Sequence, residues 1–433
     1  MKSIYLENLK QALLQSNIVQ VFDNLLTFAV ESDASDIHIE PYENFGRIRI
    51  RIDWILTEIV QYPKTIHDNI IAKFKIESGQ MKPDEKRLPQ DARVSSITLT
   101  SKELDLRANT LPTVRGEKLV MRIVDKSKKV PLLESLGIQW VNYEAILRNI
   151  HYPNGIILNT GPTGCGKSTT LYACLHLLNK TEKNILTYED PVENKMYGLN
   201  QSQIRWDIGY TFAQWLRASL RQDPDIVMVG EIRDWETLET AMEASMTWHL
   251  VFSTVHTNNS AETITRVMNL WAKSYQICGT FNLVMAQRLV RMICHDCKVK
   301  ESNPTNTYSN YVNDSLKSMD SNALAQELKK RNLTMDQVQT LYAGTMCVGK
   351  GTYADGSVCK TCWGTGYRSR VWLYEVMEYD DELRNMLLQD KTAFEIEKHM
   401  LNKGMINLER DGIFKVIQGL TTLEEVYRTT RHK

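Results

Sequence analysis

Residues 161–168 read Gly-Pro-Thr-Gly-Cys-Gly-Lys-Ser, which fits G-x-x-x-x-G-K-[ST], the loop that cradles nucleotide phosphates. The motif has meaning only between a strand and a helix. The apolar run Ile156-Ile157-Leu158 reads as the strand, and Thr169 to Leu178 read as the helix. Glycines in such a loop let backbone N–H groups turn toward phosphate oxygens at the positive end of the helix. Gly161, Pro162, Thr163, Gly164, Cys165, Gly166, Lys167, Ser168 and Thr169 are therefore the candidate nucleotide-binding residues. Lys167 would reach the β- and γ-phosphates of a nucleoside triphosphate, and Ser168 would hold Mg²⁺.

Hydrolysis needs an activated water as well as a phosphate cradle. Ile226 to Val229 is an apolar run followed by Gly230-Glu231, a strand ending in a carboxylate that can approach Mg²⁺ through water. A second strand ends in the acid-rich segment Thr187-Tyr188-Glu189-Asp190-Pro191-Val192-Glu193. Both lie downstream of the phosphate loop at strand C-termini, where open α/β sheets place their ligands. A third strand, from His249 through Thr254, closes with His256-Thr257-Asn258, a polar cluster suited to sensing a γ-phosphate.

A separate chemistry is written in Cys294-x-x-Cys297 and Cys359-x-x-Cys362. Four thiolates at that local spacing suit tetrahedral Zn²⁺ in a closed structural site. The intervening segment, residues 298–358, is longer than a compact zinc ribbon allows, and His295 and Cys347 stand as candidate substitute ligands. Cys165, Cys174 and Cys278 read as small buried residues.

The elements that must position these groups fall into distinct stretches. Residues 5–30 carry apolar positions at helical spacing, and Ile37 to Glu40 and Arg47 to Ile52 alternate as half-buried strands do. Val94 to Leu106 and Leu119 to Val124 read as two more strands, giving a small α+β domain over 1–126. A charged linker covers 127–145. Strand, loop and helix then repeat over 146–290, the pattern of a parallel sheet wrapped by helices. A cysteine subdomain over 291–366 contains a polar segment with a short helix at Ala323–Lys330, and a helical subdomain follows over 367–433.

The 433 residues carry 52 Lys+Arg against 52 Asp+Glu, so there is no broad basic footprint for nucleic acid. No run approaches the roughly eighteen apolar residues of a membrane helix, and the first residues lack a signal-peptide core. Eight cysteines, half of them in C-x-x-C pairs, suit a reducing compartment. The expectation is a soluble, cytoplasmic chain.

The segments GPTGCGKSTT, TYEDPVE, LRQDPDIVMVGEIRD and HLVFSTVHTN resemble the four signature boxes of the secretion ATPases that drive type II secretion and type IV pilus assembly. The resemblance continues in SDIHIEP at 35–41, RLPQDARV at 87–94, LPTVRGEKLVMRIVD at 111–125 and GLTTLEEVYRTT at 419–430. It implies a RecA-like core, a PAS-like N-terminal domain and a tetracysteine zinc module. It implies ATP, Mg²⁺ and Zn²⁺ as ligands, a homo-hexamer, and an inner-membrane platform protein as partner at the cytoplasmic face. Glu189 would polarise the attacking water, Glu231 would act on Mg²⁺, and His256 would couple γ-phosphate status to subunit movement. Arg93 and Arg107 match the arginines that swing onto the phosphates, while Arg217 and Arg221, four apart on one helix face, match a second pair. Longer relatives carry a further domain ahead of the SDIHIEP segment.

The resemblance favours an assembly motor, on the cysteine module and on the C-terminal run from Met405 to Thr430. A retraction or DNA-uptake motor is the alternative within the family, and a zinc-containing nucleic-acid-binding ATPase the alternative outside it. Trp54, Ala92 and Trp248 stand where the family has glycine. Either those turns are reshaped, or glycine served there for close packing.

Overall fold

The computed structural model describes residues 2–99, 102–127, 129–205, 208–209, 211–302, 312, 315–316, 319 and 321–431. The chain forms two compact units, Met1–Lys129 and Val130–Lys433.

The first unit opens with two helices, α1 (Lys2–Leu14) and α2 (Ile18–Glu31), and has a third, α3 (His67–Ser78). Its six strands are β1 (Asp36–Pro41), β2 (Phe45–Ile52), β3 (Ile55–Pro63), β4 (Gln90–Leu99), β5 (Lys102–Thr113) and β6 (Gly116–Asp125). They form one antiparallel sheet in the order β3-β2-β1-β6-β5-β4. The period-two pattern sets its faces. Ile37, Ile39, Ile48, Ile50, Leu119 and Met121 point to the core with Val21, Leu25 and Phe28 of α2. On the opposite face Glu40 pairs with Arg49 at 2.7 Å, Lys118 at 2.9 Å and Arg47 at 3.1 Å. The stretch read as one strand from Val94 to Leu106 is instead a strand pair, β4 and β5, registered Arg93 opposite Arg107. Its polar connection carries no glycine or proline to mark a turn, and residues 100–101 lie outside the described residues.

The second unit is built on a seven-stranded sheet. Its strands are β7 (Gly155–Thr160), β8 (Ile185–Glu189), β9 (Asn200–Gln203), β10 (Ile226–Val229), β11 (Leu250–Val255), β12 (Phe281–Ile293) and β15 (Tyr367–Glu378). The order is β15-β12-β7-β11-β10-β8-β9, with every pair parallel except β12 and β15. Helices α4 (Trp140–Ile150), α5 (Lys167–Leu178), α6 (Phe212–Ser219), α7 (Trp235–Met246), α8 (Ser260–Asn269) and α9 (Ser274–Thr280) accompany it. Apolar clusters lie on both faces of the sheet, so its central strands read as unbroken apolar runs. Tyr367–Glu378, assigned from sequence to a helical subdomain, is hydrogen-bonded into this core sheet along β12.

Between β12 and β15 the chain leaves the sheet. β13 (Lys298–Ser302) and β14 (Thr345–Gly349) form an antiparallel ribbon, and α10 (Ser321–Lys330) and α11 (Met335–Tyr342) lie between them. The expected helix near Ala323–Lys330 is thus present. The chain ends in α12 (Asp381–Leu388), α13 (Ala393–Asn402), α14 (Leu408–Ile417) and α15 (Leu423–Thr430). Leu324, Leu328, Val338 and Leu341 of the insert share a core with Ile413, Phe414, Leu423 and Val426. Beneath it Asp411 accepts from Lys415 at 2.7 Å, Arg331 at 3.0 Å and the Tyr374 backbone N–H at 3.0 Å. Among the described residues no helix is long and apolar enough to cross a membrane.

The glycine departures resolve in two ways. Trp54 and Trp248 have φ of 70° and 67°, so the left-handed turns are kept, with tryptophan inside them. Ala92 lies within β4, paired with Ala108, where a methyl group fits.

Asp411→Asn should destabilise the chain by about 3–5 kcal/mol, because it strips the counter-charge from two buried cations. The midpoint of denaturant unfolding measures it, and an unchanged midpoint would mean that the three side chains are not held as an ionised cluster.

Candidate functional site

The phosphate loop runs from the end of β7 into α5. Gly161, Gly164 and Gly166 have φ of 150°, 81° and 91°. A Cβ on Gly161 would stand 2.5 Å from the Gln287 carbonyl oxygen, so that position also needs glycine for space. Lys167 is buried, and its Nζ donates to the carbonyls of Gly161 at 2.7 Å and Pro162 at 3.3 Å. Burial pushes its pKa down, with Glu231 among the groups that oppose the shift.

The loop is held from below by β12. Gln287 donates to the Cys165 carbonyl at 2.8 Å and accepts from Asn159 and Thr170, each at 2.9 Å. Arg288 is buried and donates to the Gln287 carbonyl at 3.0 Å and to the Asn258 carbonyl at 2.5 Å. One side chain thus touches the strand behind the loop and the segment after His256. Sequence reading did not single out Gln287 or Arg288. Their signal was two large polar residues inside the apolar run of β12.

A cleft of about 420 Å³ opens at the C-terminal ends of β7, β8, β10 and β11. Thr163, Gly164, Gly166, Lys167, Ser168, Thr169, Glu189, Glu231 and His256 line it, together with Arg233. Gly161 and Pro162 line the adjoining hollow with His256, and Cys165 is buried under the loop.

Glu189 is 4% exposed. Thr187 donates to Oε1 at 2.6 Å, Gln201 donates to Oε1 at 3.2 Å, and the Tyr172 hydroxyl donates to Oε2. Burial raises the Glu189 pKa, and these three donors pull against it. Glu231 contacts Arg233 at 2.7 Å and His256 Nε2 at 3.2 Å. Burial and then the Lys167 charge lower the His256 pKa, which favours the neutral imidazole. Thr257, next to His256, is tied to Thr160 at the end of β7 through a 2.8 Å bond from its backbone N–H.

The arginines fall elsewhere. Arg217 lies on α6 and pairs with Glu236 at 2.9 Å. α6 ends at Ser219, so Arg221 lies in the turn beyond it rather than on the same helix face. Arg93 and Arg107 belong to the first unit, on facing strands, with Arg93 paired to Asp105 at 2.7 Å.

Cys294, Cys297, Cys359 and Cys362 are buried with all four sulfurs within 4.8 Å of one another. Cys297 and Cys362 are 3.6 Å apart, and Cys294 and Cys359 are 3.9 Å apart. Those lengths exceed an S–S bond and match the edge, about 3.8 Å, of a tetrahedron with metal–sulfur distances of about 2.3 Å. The donor set therefore fits a zinc ion. His295 is exposed and pairs with Asp296, and neither it nor Cys347 joins the cluster. Cys165, Cys174 and Cys278 are buried, as read from the sequence.

Comparison with known proteins supplies the frame. The type IV pilus assembly ATPase PilB of Pseudomonas aeruginosa is 38% identical over 96% of this chain and 68% of its own length. PilB of Thermus thermophilus is 42% identical over 92% of this chain and 41% of its own length. The type II secretion system protein E of Pectobacterium carotovorum is 37% identical over 96% of this chain and 76% of its own. Among solved structures, the Legionella pneumophila ATPase DotB superposes with a TM-score of 0.62 at 20% identity, covering 94% of each chain. The pilus retraction motor PilT does so with 0.59 at 23%, over 94% of this chain and 96% of its own. At those identities the likeness is one of fold. The family described as type II/IV secretion system protein matches residues 11–428, and the chain belongs to it, as a secretion or pilus ATPase motor.

Proposed function

We propose that the chain hydrolyses ATP to ADP and phosphate in the cleft at the strand C-termini, and that the hydrolysis powers assembly of a type IV pilus or a type II secretion pseudopilus. The observation that carries this reading is the convergence of Lys167, Ser168, Glu189, Glu231 and His256, from one helix and the ends of three neighbouring strands, on a single cleft. The working form is a homo-hexamer, peripheral at the cytoplasmic face of the inner membrane, acting on a platform protein. Names of the relatives, pilus assembly ATPase and secretion protein E, support that setting.

In the reaction, the backbone N–H groups of the loop and the Lys167 ammonium would hold the β- and γ-phosphates. Glu189 takes a proton from water as the water attacks the γ-phosphorus. His256, neutral and bonded to Glu231, reports whether the γ-phosphate is in place. Ser168 and Glu231 are the groups that would hold Mg²⁺, which would offset phosphate charge. Arg93 and Arg107 would stabilise the charge that develops on the phosphates, and Arg217 and Arg221 would act as a second arginine pair. The four cysteines would hold Zn²⁺ as a structural centre, since site and local fold form together.

Four measurements test this. Lys167→Ala should abolish hydrolysis. Glu189→Gln should keep ATP binding and lower turnover by roughly 10²–10⁴, and turnover near the unmutated rate would transfer the water-activating role to Glu231. Arg93→Ala and Arg107→Ala should lower kcat, by up to about 10³, far more than nucleotide affinity. Equal losses in both would make them ordinary binding groups. Metal analysis should return one Zn²⁺ per chain, and Cys359→Ser or Cys362→Ser should release it and loosen residues 291–366. Normal folding and assembly of metal-free protein would make the thiols incidental.

Assembly is favoured over retraction by the cysteine cluster and by the assembly and secretion relatives. Deleting the gene in its host should abolish surface filaments or secretion. Hyperpiliated cells that cannot retract would establish the opposite direction of work.

A further inference from the structure

Glu189 can activate water only if its carboxylate keeps one orientation, and its own strand does not fix both oxygens. Thr187 and Gln201 donate to Oε1, at 2.6 Å and 3.2 Å. Oε2 is held by the Tyr172 hydroxyl. Tyr172 is fully buried in α5, the helix that begins at Lys167. The same helix therefore carries the phosphate-binding lysine at its first residue and, five positions on, the hydroxyl that steadies the carboxylate. We propose that Tyr172 is a positioning residue for hydrolysis, which sets Glu189 relative to the phosphate loop through α5.

This rests on the reading of Glu189 as the water-activating group. Besides Glu189, the charged and titratable groups facing the same cleft are Lys167 on α5, Asp190 and Glu193 after β8, Glu231 and Arg233 after β10, and His256 after β11. The Tyr172 hydroxyl acts on the ionised carboxylate by donating to it. Removing it withdraws a contribution that holds the Glu189 pKa down against burial, so that pKa rises further. Activity that requires ionised Glu189 is then lost at a higher pH on the acid side.

The test is ATP hydrolysis by the full chain carrying Tyr172→Phe, which keeps the ring and its packing. The expected result is a kcat about tenfold lower, the kinetic equivalent of one hydrogen bond. KM for ATP should be unchanged and the acid limb of the pH–rate profile moved upward. Thr187→Val, which removes the shorter of the two donors on Oε1, should move the limb in the same direction. Wild-type kcat and an unmoved acid limb in Tyr172→Phe would overturn the positioning role. A raised KM with unchanged kcat would do the same. Glu189→Gln run in parallel separates the two claims: if it stays active, the reading of Glu189 fails. If it is inactive while Tyr172→Phe behaves as wild type, only the role of Tyr172 fails.

A second inference rests on the backbone alone. Among the described residues, the positive-φ positions that are not glycine carry either Ser, Asp or Asn, whose short polar side chains tolerate the region, or tryptophan. Trp54, Trp248, Trp271 and Trp363 have φ of 70°, 67°, 79° and 56°. Asp53 and Trp54, both at positive φ, form the two-residue turn joining β2 to β3, where Asp-Gly is the expected pair. Trp248 and Trp271 each follow the cap of a helix, α7 and α8. The next N–H then reaches back to the Ala244 carbonyl at 3.2 Å or the Val267 carbonyl at 3.3 Å. That is the helix ending in which glycine normally occupies the left-handed position. Trp248 and Trp271 are 73% and 75% exposed, so burial does not compensate for the strain. We infer that these four turns are built for glycine, and that the host incorporates glycine at these four positions. Peptide mass spectrometry of the protein isolated from its own organism reads these positions directly. Glycine at all four is the expected result, and tryptophan at any one of them overturns the inference.

Discussion

A parallel sheet must be covered on both faces, and that constraint decides where this chain can do chemistry. Helices take the two faces of the seven-stranded sheet and apolar side chains fill the space beneath them. The C-terminal ends of the strands are what remains open to polar work. There β7 delivers the phosphate loop, β8 and β10 deliver carboxylates, and β11 delivers a histidine. These groups are scattered over about a hundred residues of sequence, and the pairing of β7 with β11 and of β10 with β8 brings them to one cleft. Two carboxylates in one cleft have different surroundings. Glu189 is caged by hydroxyl and amide donors, whereas Glu231 faces a guanidinium and an imidazole. Such a difference in environment is what separates the roles of paired acids.

Much of this was legible in the residues, because the phosphate loop and the strand-end acids are local signals. So were the alternating strands of the first unit, where Arg47-Ile48-Arg49-Ile50 announces one wet face and one dry face. What was not legible depends on long-range pairing. Nothing local in Tyr367–Glu378 says that it returns to lie antiparallel beside β12 after the cysteine insert. The β4–β5 connection lacked a breaker and read as continuous strand. Arg217 and Arg221 do not share a helix face, because α6 ends at Ser219, before Arg221. Gln287 and Arg288 were overlooked since a polar pair in an apolar run has no motif. Only the fold reveals that they underpin the loop.

The return of β15 has a physical consequence for the insert. Tyr374 on that strand exchanges a hydrogen bond of 2.9 Å with Thr170 on the phosphate-loop helix, and its backbone N–H donates to Asp411. Asp411 in turn binds Arg331 of the insert and Lys415. A buried polar chain therefore runs from α5 through β15 to the segment between the cysteine pairs. Apolar residues of equal volume could hold these elements at similar free energy, but they would accept sliding that hydrogen bonds do not. Each polar group in the chain finds its partners in one register only. The structure thus spends polar burial on position: the helix that begins with Lys167 is fixed relative to the cysteine insert. Displacement of either one must break buried bonds or carry the other with it. A motor that turns phosphate chemistry into movement needs such stiffness between its nucleotide loop and its outer parts, and this network provides it without any contact at the cleft itself.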